Sequence, residues 1–445
     1  MLTFPQSQYQ RFLENLSDLL DITPSQFEKA KERYTAVGTW LSKEDSPLFK
    51  YSPVVYPQGS FRLGTVIKPI TGEDEFDIDL VCNLNAKSTE ITQEELKKLV
   101  GDRLKYNDTY KKMLGESTRC WTLDYQDSPK FHMDILPAIP DSFGWLTESK
   151  VQFEYAKTAI CITDKNSSTF SILSTNWLKS NPVGYANWFR DQMKTEFERR
   201  KKVLAESRKS SIESIKEEEV KTPLQRAVQI LKRHRDIMFG DDEDRPISII
   251  ITTLAARAYA EEDNLYLALR NILDKMPNHI QTVNGKSVVI NPVNPFENFA
   301  DKWQIYPKRE ENFRAWMAKA KEDIFEIVDK YGLDKAADNL REVFGRRVVN
   351  ESIEKSGLVM LSESSGVKST IPSSLLSVSH KEQPKWPLAL KNEVSINARY
   401  LDGNKWHTLT RTTRVPKYKK LIFTARTNVS KPFSVFWQVV NTGDD

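Results

Sequence analysis

At 445 residues the chain has room for about two to four domains of roughly 100 to 200 residues each. Its 39% hydrophobic and 10% aromatic content, with a mean hydropathy of −0.53, is that of a soluble globular protein and excludes a chain disordered throughout. The 65 basic and 61 acidic residues leave a net charge of +4, too small for a nucleic-acid binder that works by bulk charge. That charge is uneven: residues 375–445 hold 12 basic and 5 acidic side chains, so the rest of the chain is mildly acidic.

From Tyr9 to Leu41 the apolar residues Phe12, Leu16, Leu19, Leu20, Phe27, Ala30 and Tyr34 recur at three- and four-residue steps, interrupted by ITPSQFE. Two helices are expected, the second capped by Thr23 with Pro24 in its first turn, and residues 1–45 are read as helices packing on the core. Residues 46–170 change to short β-rich runs, LGTVIKPI, FDIDLVCNL, RCWTLDY and KFHMDILPAI, and form the α/β lobe. A helical lobe follows over 171–355. Within it the mixed charges of Phe197–Val220 read as a solvated helix face or linker without a function of its own. The longest apolar run, Ile247–Ala256, has ten residues against the roughly 20 a membrane span needs, so it is expected as a buried helix and no membrane partner is implied.

The Ser- and Gly-rich stretch 356–380 reads as a linker, and 381–445 as a small all-β segment with strands VSINARYL, WHTLTRTTRV, KKLIFTART and FSVFWQVVN. The three cysteines, Cys82, Cys120 and Cys161, have no CxxC spacing and suggest neither a disulfide framework nor a zinc site. The amino terminus lacks the order of a signal peptide, and a reducing cytoplasm is the expected compartment.

The chemistry concentrates between Tyr56 and Leu84. In a strand, residues two apart share a face, so Phe76, Ile78 and Leu80 point to a core while Asp77 and Asp79 project together from the other side. Two carboxylates that close repel unless a cation intervenes or one takes up a proton. Oxygen-only ligands suit Mg²⁺, with Mn²⁺ as an alternative. In KFHMDILPAI, Phe131, Met133 and Ile135 alternate with Asp134, which supplies a third carboxylate on the polar face. Two ions held by Asp77, Asp79 and Asp134 would clamp the attacking and leaving oxygens of an in-line displacement, and Asp134 is also the candidate general base. Gly59 and Ser60 could cradle phosphate oxygens through backbone N–H groups and a hydroxyl. Taken singly these pieces are weak: a Gly-Ser pair is commonly a turn, and a DxD strand commonly a solvent-facing edge. Their order, with Asp134 some 55 residues beyond Asp79, is more specific.

QGSFRLGTV, DEFDIDLVC and HMDILP, with TPLQRAVQILKRHRDI and RPISIIITTLAA further on, resemble the polymerase-β-type nucleotidyltransferases of the cyclic GMP-AMP synthase and oligoadenylate synthetase group, and among them the bacterial CD-NTases. The resemblance covers Gln6 to about Gly345 and implies an α+β, two-lobed fold, a mixed-sheet lobe and a helical lobe, followed by the small β segment. It implies that Gln58 and Ser60 touch the triphosphate, that Asp77, Asp79 and Asp134 hold the metal, and that Lys232 and Ser248 reach phosphates from the helical lobe. Alternatives are a solvated lysine in a basic cluster and a helix-capping serine. In some relatives an aromatic that can stack on a base follows the serine; here the residue is Ile249. The β segment resembles the first part of the nucleotide-sensor domain fused to many such synthases. The implied activity joins ATP, alone or with a second NTP, into a cyclic di- or trinucleotide that a separate effector reads in antiphage defence. An RNA- or protein-modifying transferase and a silent nucleotide sensor are the alternatives. No zinc-binding insertion supports activation by DNA.

Overall fold

A computed structural model of the chain describes residues 4–70, 76–126, 131–356, 394–403, 405–409 and 420–427. The chain divides into Met1–Ser356 and Gly357–Asp445. The stretch read as a linker falls, but for Ser356, outside the described residues, as does the FSVFWQVVN strand.

The first unit opens with α1 (Phe4–Leu20) and α2 (Pro24–Ser42). Thr23 caps α2 as expected: its hydroxyl accepts the Gln26 N–H, the Gln26 side chain accepts the Thr23 N–H, and Pro24 occupies the first turn. Next come β1 (Val54–Gln58), α3 (Gly59–Leu63), β2 (Phe76–Asn83), α4 (Gln93–Lys105), α5 (Asp108–Met113), β3 (Leu114–Glu116), β4 (Trp121–Tyr125) and β5 (Phe131–Pro140). After α6 (Gly144–Glu148) and α7 (Phe153–Ala156), β6 (Ile160–Ile162) and β7 (Leu178–Ser180) extend the same sheet. The strand order is β1-β2-β5-β4-β3, with β6 on β5 and β7 on β6. Only β2 and β5 run parallel, which makes the sheet mixed. Because β2 lies between β1 and β5, its carboxylates do not decorate a free edge. Ile78, Leu80, Met133 and Ile135 join Ala30, Val37 and Leu41 of α2 and Leu96, Val100 and Leu104 of α4 in one apolar core. Strand parity then turns the aspartates to the opposite face.

One expected strand is absent. LGTVIKPI leaves α3 through Gly64 (φ +67) and runs on without pairing. Its carbonyls are taken instead by side chains of α10 (Pro223–Phe239): Gln225 donates to the Leu63 carbonyl at 2.9 Å, Lys232 to that of Thr65 at 3.0 Å and Gln229 to that of Val66 at 2.7 Å. Buried polar side chains thus do what a neighbouring strand would have done.

The helical lobe runs through α8 (Pro182–Asp191), α9 (Lys194–Arg208), α10, α11 (Ser248–Ala258) and α12 (Leu265–Lys275). Two hairpins follow, β8 (Gln281–Val283) with β9 (Lys286–Val288) and β10 (Ile290–Asn291) with β11 (Asn294–Asn298). Then come α13 (Pro307–Lys321), a π-helical turn at Glu322–Glu326, α14 (Ile327–Phe344), kinked at Gly332, and α15 (Arg346–Lys355). The Ile247–Ala256 run is the buried helix expected of it. The Phe197–Val220 run differs: helix stops at Arg208, short 3₁₀ turns follow, and Phe197, Ala205, Ile215 and Val220 bury a small apolar cluster. No helix among the described residues is long and apolar enough to cross a membrane, and all three cysteines are free.

In the second unit β12 (Val394–Asp402), β13 (Lys405–Thr408) and β14 (Leu421–Thr427) form an antiparallel sheet in the order β13-β12-β14.

Candidate active site

β1 ends at Gln58, whose register partner on β2 is Asp79. The next residue, Gly59, has φ +60, and a Cβ there would lie 2.2 Å from Asp79 Oδ2. Glycine is therefore required twice over, for the left-handed backbone and for the closeness of the carboxylate. Ser60 follows in the first turn of α3, its carbonyl accepting the Thr65 N–H at 3.0 Å.

On the other side of β2, Asp79 stands directly beside Asp134 in the parallel register, and Asp77 beside His132. Thr122 of β4 faces Asp134 from the third strand and donates its hydroxyl to Asp134 Oδ1 at 2.5 Å. Asp77 is exposed, while Asp79 and Asp134 are half-buried. Burial, followed by the charges of Asp77 and Asp134, pushes the Asp79 carboxyl up to about 6. The Asp77 carboxyl is raised as well: though the residue reaches solvent, the protein packed around its carboxyl desolvates it, with His132 opposing. These shifts have the sign expected of carboxyls that are desolvated first and share a site with like charges second.

Lys232 projects from α10 toward this face. It is 6% exposed, so the solvated reading does not hold. Burial and the charge of Arg235 bring its ammonium down to about 8, against the opposing pull of Asp236, Asp77 and Asp79. Its contact to the Thr65 carbonyl uses one of three donors. Ser248 is not a capping residue: Ile247 occupies the cap position and Ser248 is the first helical residue of α11. Its hydroxyl accepts from Arg235 Nη2 at 3.1 Å, which ties it to the helix that carries Lys232. Arg62, next to the Gly59 turn, is exposed.

No three acidic, histidine or cysteine side chains among the described residues converge into a preformed metal cage. Asp77, Asp79 and Asp134 nevertheless suit hard divalent cations: they are oxygen donors on one face of adjacent strands, and the mutual repulsion felt at Asp79 is what a cation would relieve.

A cavity of about 240 Å³ extends from Gln58, Gly59 and Asp79 to Asn291 and Glu297 in the hairpin of β10 and β11. Ile249 lines it without offering a ring; the aromatic surfaces come from Tyr185 of α8 and Phe299, whose centroids are 6.0 Å apart edge to face. The Tyr185 hydroxyl is held by Thr253 at 2.8 Å. None of Tyr185, Asn291, Glu297 and Phe299 stands out in the sequence by spacing. The usable signals were Asn181-Pro182 ahead of α8 and the paired Asn-Pro steps of INPVNPFEN.

A mixed sheet with carboxylates on neighbouring parallel strands, a glycine turn against one of them and a helical lobe with a buried lysine define a polymerase-β-like nucleotidyltransferase. Residues 53–137 match the family described as "Cyclic GMP-AMP synthase DncV-like, nucleotidyltransferase domain", and residues 376–445 match the "Adenylyl/Guanylyl and SMODS C-terminal sensor domain". A c-di-GMP synthase of Roseivirga ehrenbergii is 31% identical over 343 residues, covering 76% of this chain and 85% of the relative. The cyclic dinucleotide synthase CdnG of Bradyrhizobium diazoefficiens is 24% identical over 361 residues, covering 77% and 82%. The solved structure of CdnG in complex with GTP has the same fold, with a TM-score of 0.60 at 22% identity over 78% of this chain and 98% of that one. The chain belongs to the bacterial CD-NTases, nucleotidyltransferases that make cyclic nucleotides, and carries the C-terminal sensor domain.

Proposed function

We propose that this enzyme joins nucleoside triphosphates, with GTP as the principal substrate, into a cyclic di- or trinucleotide second messenger. The observation that carries the reading is the register of β2 and β5, which sets Asp79 beside Asp134, with Asp77 two residues along on the same face and the Gly59 backbone against Asp79. The choice of GTP ahead of ATP follows the c-di-GMP synthase relative and the GTP complex of CdnG.

Gln58, Gly59 and Ser60 would hold the triphosphate through side-chain and backbone donors, and Lys232 would meet the departing pyrophosphate with its remaining N–H groups. Asp77, Asp79 and Asp134 would hold two Mg²⁺ ions, which when bound neutralise the triphosphate and acidify the attacking hydroxyl. A ribose hydroxyl oxygen bonds to the α-phosphorus, the bond from that phosphorus to the bridging oxygen breaks, and pyrophosphate leaves. Asp134 takes the hydroxyl proton; the Thr122 hydroxyl on Oδ1 fixes the orientation of its carboxylate. A second round on the linear intermediate closes the ring. The product signals to a separate effector, and the sensor domain binds a nucleotide.

Pyrophosphate release with each NTP in Mg²⁺ tests this reading. Asp77→Asn combined with Asp79→Asn abolishes it; turnover at the wild-type rate by that double variant refutes the assignment.

A further inference from the structure

The far end of the cavity holds a carboxylate that the metal-site reading does not use. Glu297 sits on β11, half-buried, and accepts from Asn291 Nδ2 at 2.6 Å. Asn291 is 4% exposed, and its own Oδ1 accepts the Val293 N–H at 3.0 Å, so its amide can turn only its donor side toward Glu297. The hairpin is pinned from several sides: Arg257 Nη2 donates to the Ile290 carbonyl at 2.7 Å, the Val289 N–H to Asn298 Oδ1 at 2.9 Å, and the Phe299 N–H to the Val289 carbonyl at 2.9 Å. The carboxylate is thus held in a fixed orientation at the wall of a cavity whose other wall is Gly59 and Asp79.

Among the described residues no lysine or arginine forms an ion pair with Glu297. Arg119, whose charge acts on it, is committed to Asp164 at 2.9 Å. Burial pushes the Glu297 carboxyl up, against the amide donors of Asn291 and Asn294. An ionised carboxylate presents about four lone-pair positions, and two amides do not fill them. A ligand with two adjacent donors would.

We propose that Glu297 is the specificity-determining residue of the cavity, accepting N1–H and N2–H of a guanine base that lies beside Tyr185 and Phe299. This rests on the reading above that the cavity takes a nucleoside triphosphate. Guanine turns two neighbouring donors toward an acceptor-only carboxylate. Adenine turns one donor and one acceptor, so its N1 lone pair would face a carboxylate oxygen. Selection therefore combines a charge-assisted pair for guanine with a repulsive contact for adenine.

The test measures binding of non-hydrolysable GTP and ATP analogues to the full chain in Mg²⁺ by calorimetry, for the wild type, Glu297→Gln and Glu297→Ala, with thermal unfolding as the check on folding. Glu297→Gln keeps an oxygen for Asn291 and adds a donor for adenine N1. The expected result is a GTP preference in the wild type that falls about 10- to 100-fold in Glu297→Gln, with ATP binding kept or tightened. An unchanged GTP-to-ATP ratio, or equal weakening of both analogues in a folded Glu297→Gln protein, overturns the inference. A wild type that binds both analogues and releases pyrophosphate, yet shows no dependence of the ratio on Glu297, refutes only this assignment. A wild type that binds neither and releases none refutes the transferase reading with it.

Discussion

Replacing Gly59 by alanine probes the contact between the glycine turn and the carboxylate face of β2 and β5. The new Cβ would stand 2.2 Å from Asp79 Oδ2, where ordinary contact begins near 3.4 Å, so the carboxylate must retreat by roughly 1 Å. Asp79 cannot yield through its backbone, which is paired to β1 on one side and β5 on the other. Its side chain must rotate instead, away from the position that faces Asp134. A misplacement on that scale lowers turnover about 10²-fold. The left-handed φ of +60 adds a stability loss of ~1–2 kcal/mol for an L-residue. Gly285→Ala separates the two effects: its φ is +74, and nothing lies within 4 Å of the added Cβ. Pyrophosphate release at saturating NTP and thermal unfolding should show both variants destabilised to a similar degree, with turnover lost only in Gly59→Ala. Wild-type turnover in Gly59→Ala, or an equal loss in Gly285→Ala, would refute the reasoning.

Two further outcomes follow from charge. The Asp79 carboxyl, at about 6 in the fold against an ordinary 3.8, favours protonation in the folded state; its contribution to stability is full below pH 3.8 and is lost as pH rises through about 6. In denaturant unfolding with EDTA, Asp79→Asn should therefore gain on the wild type as pH rises from about 3.8 to about 6, by up to ~3 kcal/mol, and keep that lead above it; identical pH profiles would contradict this. Lys232 has the opposite polarity: its depressed value, about 8 against 10.5, means that the fold prefers the neutral amine and loses stability as pH falls from 10.5 through 8. Lys232→Met, which also gives up the bond to the Thr65 carbonyl, should gain stability relative to the wild type as pH falls from about 10.5 to 8 in denaturant unfolding, while lowering kcat/KM for NTP by about 10²-fold; parallel stability profiles would contradict this.

The placement of the candidate site's carboxylates was legible in the sequence, because period-two alternation decides it. Once FDIDL and HMDIL are strands with one apolar face, Asp77, Asp79 and Asp134 must share the other, whichever strands are neighbours. The Thr23-Pro24 helix start was legible for a similar reason, since its hydrogen bonds close within three residues. LGTVIKPI was misread because what satisfies its backbone is a row of side chains on α10, some 160 residues later, which local β propensity cannot register. The hairpins of the helical lobe did carry a signal, Asn284-Gly285 with φ of +51 and +74, the turn that joins tightly paired strands. Glu297 was invisible because a glutamate in a polar loop looks ordinary until Asn291 and the cavity wall are placed around it.

The central claim is tested most directly by incubating the protein with labelled GTP and ATP in Mg²⁺, treating with phosphatase and weighing the resistant products by mass spectrometry. The account predicts a phosphatase-resistant cyclic nucleotide containing guanine, absent from the Asp77→Asn, Asp79→Asn double variant. Products that remain linear and phosphatase-sensitive, or label transferred to RNA or protein, would contradict it.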